Sequence, residues 1–418
     1  MNNDVFRTLS ERGYVYQCTN QEAVKKRLAS ENPITFYLGI DPTADSLHIG
    51  HFFALMMFRH LQEAGHKGIL VIGGATALVG DPSSKNDMRK MLTKDQVQHN
   101  LDEVKELSKR FIKVDGDNPA IIINNADWFN HYPYVDFMRE IGIHFNINKM
   151  LAADAYANRL SEGGLTFLEM GYMLMQAYDF VYLNREYGCT LQIGGSDQWG
   201  NIVAGTTLNR KLNFIEENIE NAENDIYGLT NPLLLTKEGN KMGKTESGAL
   251  WVARDKTTPY DFYQYFYNIN DEDVDMLLRL FTRLPLDEIN RLINKDILEA
   301  KRTMAYEITK LVHGQDEADK VIEAVNALFK AESDTENAPK VIMDRSILEN
   351  GIPIIDFLVN SKFLPSKSEA RRMVKQGGIS LNGNRVEDLE LIVKASDVTD
   401  NSLLLKRGKK NFLKVIFE

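Results

Sequence analysis

Four short apolar runs constrain the fold of this chain more than any other feature: Ile34–Ile40 (ITFYLGI), Ile69–Gly74 (ILVIGG), Ala120–Ile123 (AIII) and Thr190–Ile193 (TLQI). Each has the length of a strand, and none shows the strict apolar–polar alternation of a strand with one wet face. Strands buried on both faces belong to parallel sheets covered by helices. The intervening stretches suit crossover helices. Phe52–Ala64 carries an apolar stripe and ends near Gly65, as a helix does. The first half of the chain is therefore expected to be a doubly wound parallel α/β sheet.

The character changes after about residue 257. Thr258-Pro259 can start a helix, with Thr as N-cap and Pro in the first turn. Amphipathic helix then continues to about Lys330, with a break at Leu284-Pro285. Residues 331–351 are polar and read as a linker. The remainder is compact and mixed: a helix over Ser366–Lys375, and short strands around Gly383 and Asn401. The expected divisions are 1–225 (with an inserted helical region at about 121–164), a connector 226–257, a helical domain 258–330, the linker 331–351 and a small α+β domain 352–418.

Bulk composition narrows the function classes. No apolar run approaches the roughly 18 residues of a membrane span, and Met1–Arg7 has no charged segment leading into an apolar one, so neither a span nor a secretory signal is expected. Cys18 and Cys189 are the only cysteines, which excludes a disulfide framework and suits a reducing cytoplasm. The histidine spacing predicts no structural metal. Net charge is −10, but residues 352–418 carry 12 Lys+Arg against 8 Asp+Glu, a net of +4, leaving −14 on residues 1–351. A basic tail on an acidic body invites a polyanion at one end. On charge alone, a solvated basic face explains it equally well.

The chemistry concentrates at strand ends. Tyr37–His51 (YLGIDPTADSLHIGH) runs from a strand through a Pro42 turn to a helix starting near Gly50-His51. Ligands of open α/β sheets sit beyond the C-terminal ends of strands, and a helix N-terminus offers free N–H groups to phosphate. Gly50 allows close approach, and two imidazoles can donate to anionic oxygens. The bland alternative is a loop with two incidental histidines. Strand, turn and helix in this order favour the phosphate site.

Three further elements join it. Lys241-Met242-Gly243-Lys244-Thr245 follows a strand-like Leu233–Thr236; two flexible ammonium groups could neutralise charge building on a leaving pyrophosphate, although such a segment by itself is usually a surface turn. The apolar helix Thr166–Leu183 carries Tyr172, Gln176 and Asp179 on one stripe. Such buried polar groups need partners, either internal ones or a polar ligand. Gly194-Gly195-Ser196-Asp197-Gln198 reads as a glycine turn after the fourth strand, with Asp197 placed for ribose hydroxyls. Gly80–Lys85 adds a loop at the same sheet edge.

His48–His51 and Lys241–Thr245 resemble the two signature elements of class I aminoacyl-tRNA synthetases, HIGH and KMSKS. Over most of its length the chain resembles the bacterial-type tyrosyl-tRNA synthetases, most specifically at Phe36–His51, Gly73–Lys85, Thr166–Asp179, Leu191–Asn201 and Pro232–Trp251. The resemblance implies a Rossmann-like catalytic domain, dimer contacts over 121–164, an anticodon-binding-type helical domain and a tail similar to the S4 RNA-binding fold.

It also implies site roles. Tyr37 and Asp179 would hydrogen-bond a phenol hydroxyl, and Asp81, Tyr172 and Gln176 would hold an α-ammonium, with Asp41 and Gln198 helping to place the substrates. Thr43 and His48 would meet the ATP phosphates, and His51, Gly195 and Asp197 the adenosine, with Gly50 and Lys244 also in contact with ATP. Lys85, Arg89, Lys241, Lys244 and Thr245 would stabilise pyrophosphate. Arg371, Arg372 and Lys375 share about one helical turn and would contact RNA phosphates, while Asn382-Gly383 is a strong hairpin-turn signal.

The implied reaction has two steps: attack of the tyrosine carboxylate on the α-phosphate of ATP, then transfer of the tyrosyl group to the 3′ end of tRNA(Tyr). No protein nucleophile and no tightly bound cofactor are needed, and magnesium arrives with ATP. The partners would be L-tyrosine, ATP, tRNA(Tyr) and a second copy of the chain, in the cytoplasm. A site built to hydrogen-bond a hydroxyl rejects the analogue without one; tyrosine against phenylalanine in this enzyme class is the stock example of that rule. Gly243 and Thr245 depart from the generic loop motif, which has Ser at both places. The rivals are the sister tryptophan enzyme, a nucleotidylyltransferase of the HIGH type, and a catalytically silent RNA-binding paralogue.

Overall fold

The computed structural model describes residues 4–83, 91–217, 226–245, 248–333, 339–348, 351–398, 401–407 and 411–418. It divides into two compact units, 1–321 and 322–418.

The first unit is built on a six-stranded sheet: β1 (Gln17–Cys18), β2 (Thr35–Ile40), β3 (Lys67–Ile72), β4 (Ile121–Asn124), β5 (Cys189–Gly195) and β6 (Tyr227–Asn231), in the order β1-β6-β5-β2-β3-β4. All neighbours are parallel except β1, which runs antiparallel to β6. The expected α/β class holds. Its strands are buried as their apolar runs require: Phe36, Leu38, Ile69, Leu70, Val71 and Ile193 are at most 3% exposed. From β2 the chain moves outward through β3 to β4, then returns to add β5 on the other side. The strand order therefore reverses between β2 and β5, the position where such sheets bind ligands.

Two strands differ from the sequence expectation. β6 lies in the segment expected as a connector, and Leu233–Thr236 is no strand, having only an isolated bridge from Leu235 to Lys241. The reason is that Tyr227-Gly-Leu-Thr-Asn has one aliphatic residue, while its Thr230 and Asn231 are buried polar groups. Gly228 also escaped notice as a strand residue; a Cβ there would fall 2.1 Å from Ile202 Cγ2.

The helix Ile49–Glu63 is buried nearly all round, with Phe52, Phe53, Leu55, Met56, Met57 and Phe58 at most 1% exposed. Its outer side is covered by the helical segment from Pro259 onward, where Phe281 stacks on Phe52 at 5.2 Å. Arg12 ties the same layer down by donating to the carbonyls of Arg279, Thr282 and Leu284 at 2.7–3.0 Å.

The second unit has a five-stranded sheet in the order Asn384–Arg385, Ile379–Leu381, Ser402–Arg407, Asn411–Phe417, Lys340–Met343. Ile354, Phe357, Leu358, Leu403, Leu405 and Val415 form its core. Asn382 and Gly383 have φ of 48° and 84° and link paired strands, the geometry of a two-residue hairpin turn. The segment expected as a linker contributes Lys340–Met343, paired in parallel with Asn411–Phe417. Its apolar run is only Val341–Met343 and sits among polar residues, so it does not stand out as a strand in the sequence.

Candidate active site

Asp41 follows directly on β2, and its carboxylate is shared. Oδ1 accepts from the Thr76 hydroxyl at 2.7 Å and Oδ2 from the Tyr172 hydroxyl at 2.9 Å. Gly73 makes this approach feasible, since a Cβ there would lie 2.0 Å from Asp41 Oδ1. Asp81 accepts from the Ser83 amide and hydroxyl at 2.9 and 2.5 Å, and from Gln198 Nε2 at 2.8 Å. Tyr172 is buried among the charges of Asp41, Asp81 and Asp179, and burial first, then these carboxylates, hold its phenol far above the usual range. The arrangement is an acidic pocket with a hydroxyl at its centre, suited to an ammonium group.

The opposite end is formed by Tyr37 and Asp179. The Phe167–Tyr187 helix carries Tyr172, Gln176 and Asp179, and its Thr166 N-cap matches the sequence expectation while its end lies four residues beyond Leu183. Asp179 accepts from Trp128 Nε1 at 2.9 Å and from Asn125 Nδ2 at 3.3 Å. Burial drives the Asp179 carboxyl well above the usual range, against those two donors. The Tyr37 hydroxyl, buried and close enough to feel the Asp179 charge, has no hydrogen-bond partner among the described residues, and neither has Gln176 Oε1. Buried polar atoms are seldom left unpaired, so these two oxygens mark where a polar ligand would fit.

Four residues here were missed in the sequence: Thr76, Asn125, Trp128 and Gln192. Asn125 Nδ2 also donates to Thr76 Oγ1 at 3.0 Å, so Tyr172, Asp41, Thr76, Asn125, Asp179 and Trp128 form one hydrogen-bonded chain. Gln192 stands opposite Tyr37 in register, with Oε1 buried and unpaired. Asn124-Asn125 at the end of the third apolar run was a usable signal, because ligand-facing residues gather at strand C-termini.

The His48–His51 segment is more specific than its sequence suggested. His48 is the N-cap of Ile49–Glu63: its Nδ1 accepts from the amides of Gly50 and His51 at 3.1 and 3.3 Å. His51 Nδ1 in turn accepts from the His48 amide at 3.4 Å, and the rings stack 3.7 Å apart. With both Nδ1 atoms accepting, each neutral ring carries its proton on Nε2. Burial, and the nearby Lys241 ammonium, lower His48 to about 4; burial and His48 push His51 well down. Both are therefore neutral Nε2–H donors near pH 7.

The lysine segment is joined to this helix start by backbone. The Ile49 amide donates to the Leu250 carbonyl at 3.1 Å, that of Leu250 to Gly243 at 2.7 Å, and that of Val252 to Leu47 at 2.9 Å. Gly243 has φ +80°, and a Cβ there would lie 2.3 Å from Ile49 Cγ2. The departure from the generic serine is thus required by the packing. Lys241 is exposed. Lys244 and Thr245 form a short strand paired with Gly248–Ala249, and their side chains lie outside the described residues, as do Lys85 and Arg89. Thr43 is half-buried after Asp41, Gly195 ends β5, and Asp197 is exposed beside Gln198, whose Nε2 reaches it at 3.2 Å.

Comparison with known proteins resolves the identity of this fold. A family model described as tRNA synthetases class I (W and Y) matches residues 29–330, and one described as the tyrosine--tRNA ligase SYY-like C-terminal domain matches 332–415. The tyrosine--tRNA ligase of Clostridium tetani is 49% identical over the whole of both chains. The chain belongs to the tyrosyl branch of the class I aminoacyl-tRNA synthetases. The Clostridium beijerinckii ligase is 50% identical over 99% of each chain. Among solved structures, a C-terminally truncated mitochondrial tyrosyl-tRNA synthetase of Aspergillus nidulans is 30% identical, with a TM-score of 0.68 over 78% of this chain and 94% of that one.

In this synthetase-family chain the second unit presents Arg371, Arg372 and Lys375 on the exposed side of the Lys367–Lys375 helix, where Arg372 has a 3.9 Å ion pair with Glu369. Among the described residues no helix is long and apolar enough to cross a membrane.

Proposed function

We propose that this chain activates L-tyrosine with ATP and transfers the tyrosyl group to the 3′ end of tRNA(Tyr). The observation that carries the choice of amino acid is the unpaired, buried Tyr37 hydroxyl facing Asp179. A phenol placed between them satisfies both. A tryptophan side chain would leave at least one oxygen unpaired, at a cost of about 1–3 kcal/mol.

Tyr37 and Asp179 hold the phenol hydroxyl. Asp81, Tyr172 and Gln176 hold the ammonium, with Asp41 and Gln198 helping to place the substrates. His48 and His51 donate from Nε2 towards the nucleotide, Thr43 approaches the phosphates, Gly50 lets the nucleotide come close although its amide is taken by His48 Nδ1, and Gly195 and Asp197 face the adenosine. Lys85, Arg89, Lys241, Lys244 and Thr245 neutralise pyrophosphate as it leaves. The carboxylate attacks the α-phosphorus, the bond to the bridging oxygen breaks, and tyrosyl-adenylate remains. Positioning and charge stabilisation suffice for this step. Magnesium enters with ATP as part of the substrate. A terminal ribose hydroxyl of tRNA then displaces AMP, with Arg371, Arg372 and Lys375 on tRNA phosphates.

A second copy of the chain is also proposed as a partner, in a cytoplasmic setting. Tyr134, Val135, Ile143, Ile147 and Phe167 are 58–74% exposed around the 121–164 insertion, and such a concentration of apolar surface suits an interface. The divisions expected from sequence are proposed with the catalytic sheet extended to Asn231 and the linker ending before Lys340; the two compact units part between 321 and 322, inside the expected helical domain.

Amino-acid-dependent exchange of labelled pyrophosphate into ATP tests the central assignment. Exchange with tyrosine is expected; exchange with tryptophan instead, or none, refutes it. Sedimentation of Ile143→Glu, expected as a monomer, tests the interface.

A further inference from the structure

The lysine segment is held from two sides, and only one belongs to the His48–His51 motif. On that side, Ile49 and Leu250 bind it through backbone. On the other, two side chains of the helical layer each accept a main-chain N–H. Tyr265, on the helix Pro259–Tyr267, accepts from the Gly243 amide at 2.9 Å. Asp273, in the turn Asp271–Asp273, accepts through Oδ1 from the Lys237 amide at 2.7 Å. Between these two anchored amides lies a tight loop, closed by Gly239 to Thr236 at 2.8 Å and Thr236 to Asn240 at 2.7 Å, with Lys241 at its end.

Asp273 stands at the N-cap of the helix Val274–Phe281, yet its side chain makes no capping hydrogen bond there. Asp273 is 2% exposed, and its other oxygen, Oδ2, has no partner among the described residues. A buried carboxylate with a single donor is costly, and a hydrophobic residue would serve the core better. The Tyr265 hydroxyl likewise spends its acceptor on a glycine amide that lies outside its own helix. That glycine is the residue whose φ of +80° and tight packing on Ile49 fix the direction in which the chain leaves towards Lys244.

We propose that Tyr265 and Asp273 are positioning residues for pyrophosphate-forming chemistry, holding the lysine segment in register with His48–His51. The inference rests on the assignment of Lys241 and Lys244 to the leaving pyrophosphate. Neither Tyr265 nor Asp273 touches substrate. They act through the backbone on either side of Lys241, so they set where the ammonium groups stand without altering the tyrosine pocket. The segment is bound to the helix start mainly through backbone and by the packing of Gly243 on Ile49, and removal of one anchor on the helical side lets the lysines wander while the adjacent fold persists.

The test is pre-steady-state formation of tyrosyl-adenylate by the full-length chain, with tyrosine affinity and thermal unfolding measured on the same variants. Tyr265→Phe and Asp273→Ala are each expected to slow adenylate formation by roughly three- to tenfold, as loss of one buried hydrogen bond implies. Tyrosine affinity should be unchanged. Asp273→Asn keeps an oxygen acceptor and should recover most of the rate. Hydrogen exchange at the Gly243 amide should quicken in Tyr265→Phe, and at the Lys237 amide in Asp273→Ala. Lys241→Ala is the control for the underlying assignment. If Lys241→Ala forms adenylate at full rate, the role given to the loop is wrong. If Lys241→Ala is slow but Tyr265→Phe and Asp273→Ala are not, the loop assignment stands and the positioning role is refuted. Equal losses of tyrosine affinity and rate, together with a lowered unfolding temperature, would make both residues merely structural and would likewise overturn the proposal.

Discussion

Tyr37→Phe should move fold stability and substrate recognition in opposite directions. The hydroxyl it removes is buried near Asp179 and has no partner among the described residues. A buried polar atom without a partner costs about 1–3 kcal/mol, so the variant should unfold at a higher temperature than the parent. The ring itself keeps its edge-on contact with Phe180 at 5.2 Å, and no cavity larger than one oxygen forms. With tyrosine bound, the same hydroxyl would gain a neutral hydrogen bond worth about 0.5–1.5 kcal/mol net. Its loss should lower kcat/KM for tyrosine roughly two- to tenfold and leave phenylalanine unaffected. Discrimination between the two amino acids then falls by the same factor. Pyrophosphate exchange with each amino acid, alongside a thermal melt, gives all three quantities. A lowered melting temperature with equal losses for tyrosine and phenylalanine would refute the reasoning, because the hydroxyl would then be a structural group.

Three further outcomes are expected. His48, lowered to about 4, is unprotonated in the fold where an unfolded imidazole titrates near 6.5; above pH 6.5 it adds nothing to the pH dependence, and as pH falls from 6.5 to 4 the unfolded state gains a proton the fold refuses, costing about 3 kcal/mol. His48→Asn retains an N-cap acceptor and should flatten that part of the stability profile; an unchanged slope in chemical denaturation would sink the assignment. Gly243→Ser places a side chain at φ +80° and 2.3 Å from Ile49 Cγ2, a combined strain of about 2–5 kcal/mol. It should slow adenylate formation at least about tenfold with tyrosine binding retained, and a full rate in stopped flow would show the strain is not felt. Arg371→Ala and Arg372→Ala should each weaken tRNA binding and lower its salt slope by about one, without changing adenylate formation; an unaltered slope in filter binding would remove these residues from the RNA surface.

Much of the site was legible because its residues follow apolar runs. Asp41, His48, Asp81 and Gly195 could be placed at a ligand-binding edge from the strand pattern alone, since a strand buried on both faces must deliver its next residues to the sheet's end. Tyr172, Gln176 and Asp179 were legible for another reason: three polar groups on one stripe of an apolar helix break its periodicity. Trp128 and Gln192 broke no pattern, and Asn125 had only its place after the third apolar run to mark it. Their relevance depends on Asp179 and Tyr37 lying across from them, at sequence separations of 51 or more for the Asp179 donors. β6 was hidden for a related reason, because its Thr230 and Asn231 look exposed until the neighbouring strands bury them.

The sequence by itself determined the parallel α/β class, the order of the motifs along the chain and the strand ends where they stand, because burial pattern and turn chemistry are local. Only the tertiary structure decided which donors meet Asp179, that both imidazoles of His48 and His51 accept through Nδ1 and keep Nε2–H free, why position 243 must be glycine, and what grips the lysine segment from behind. Each of these depends on atoms brought together from distant parts of the chain, and hydrogen-bond direction and steric fit are set by that encounter, which no local pattern encodes.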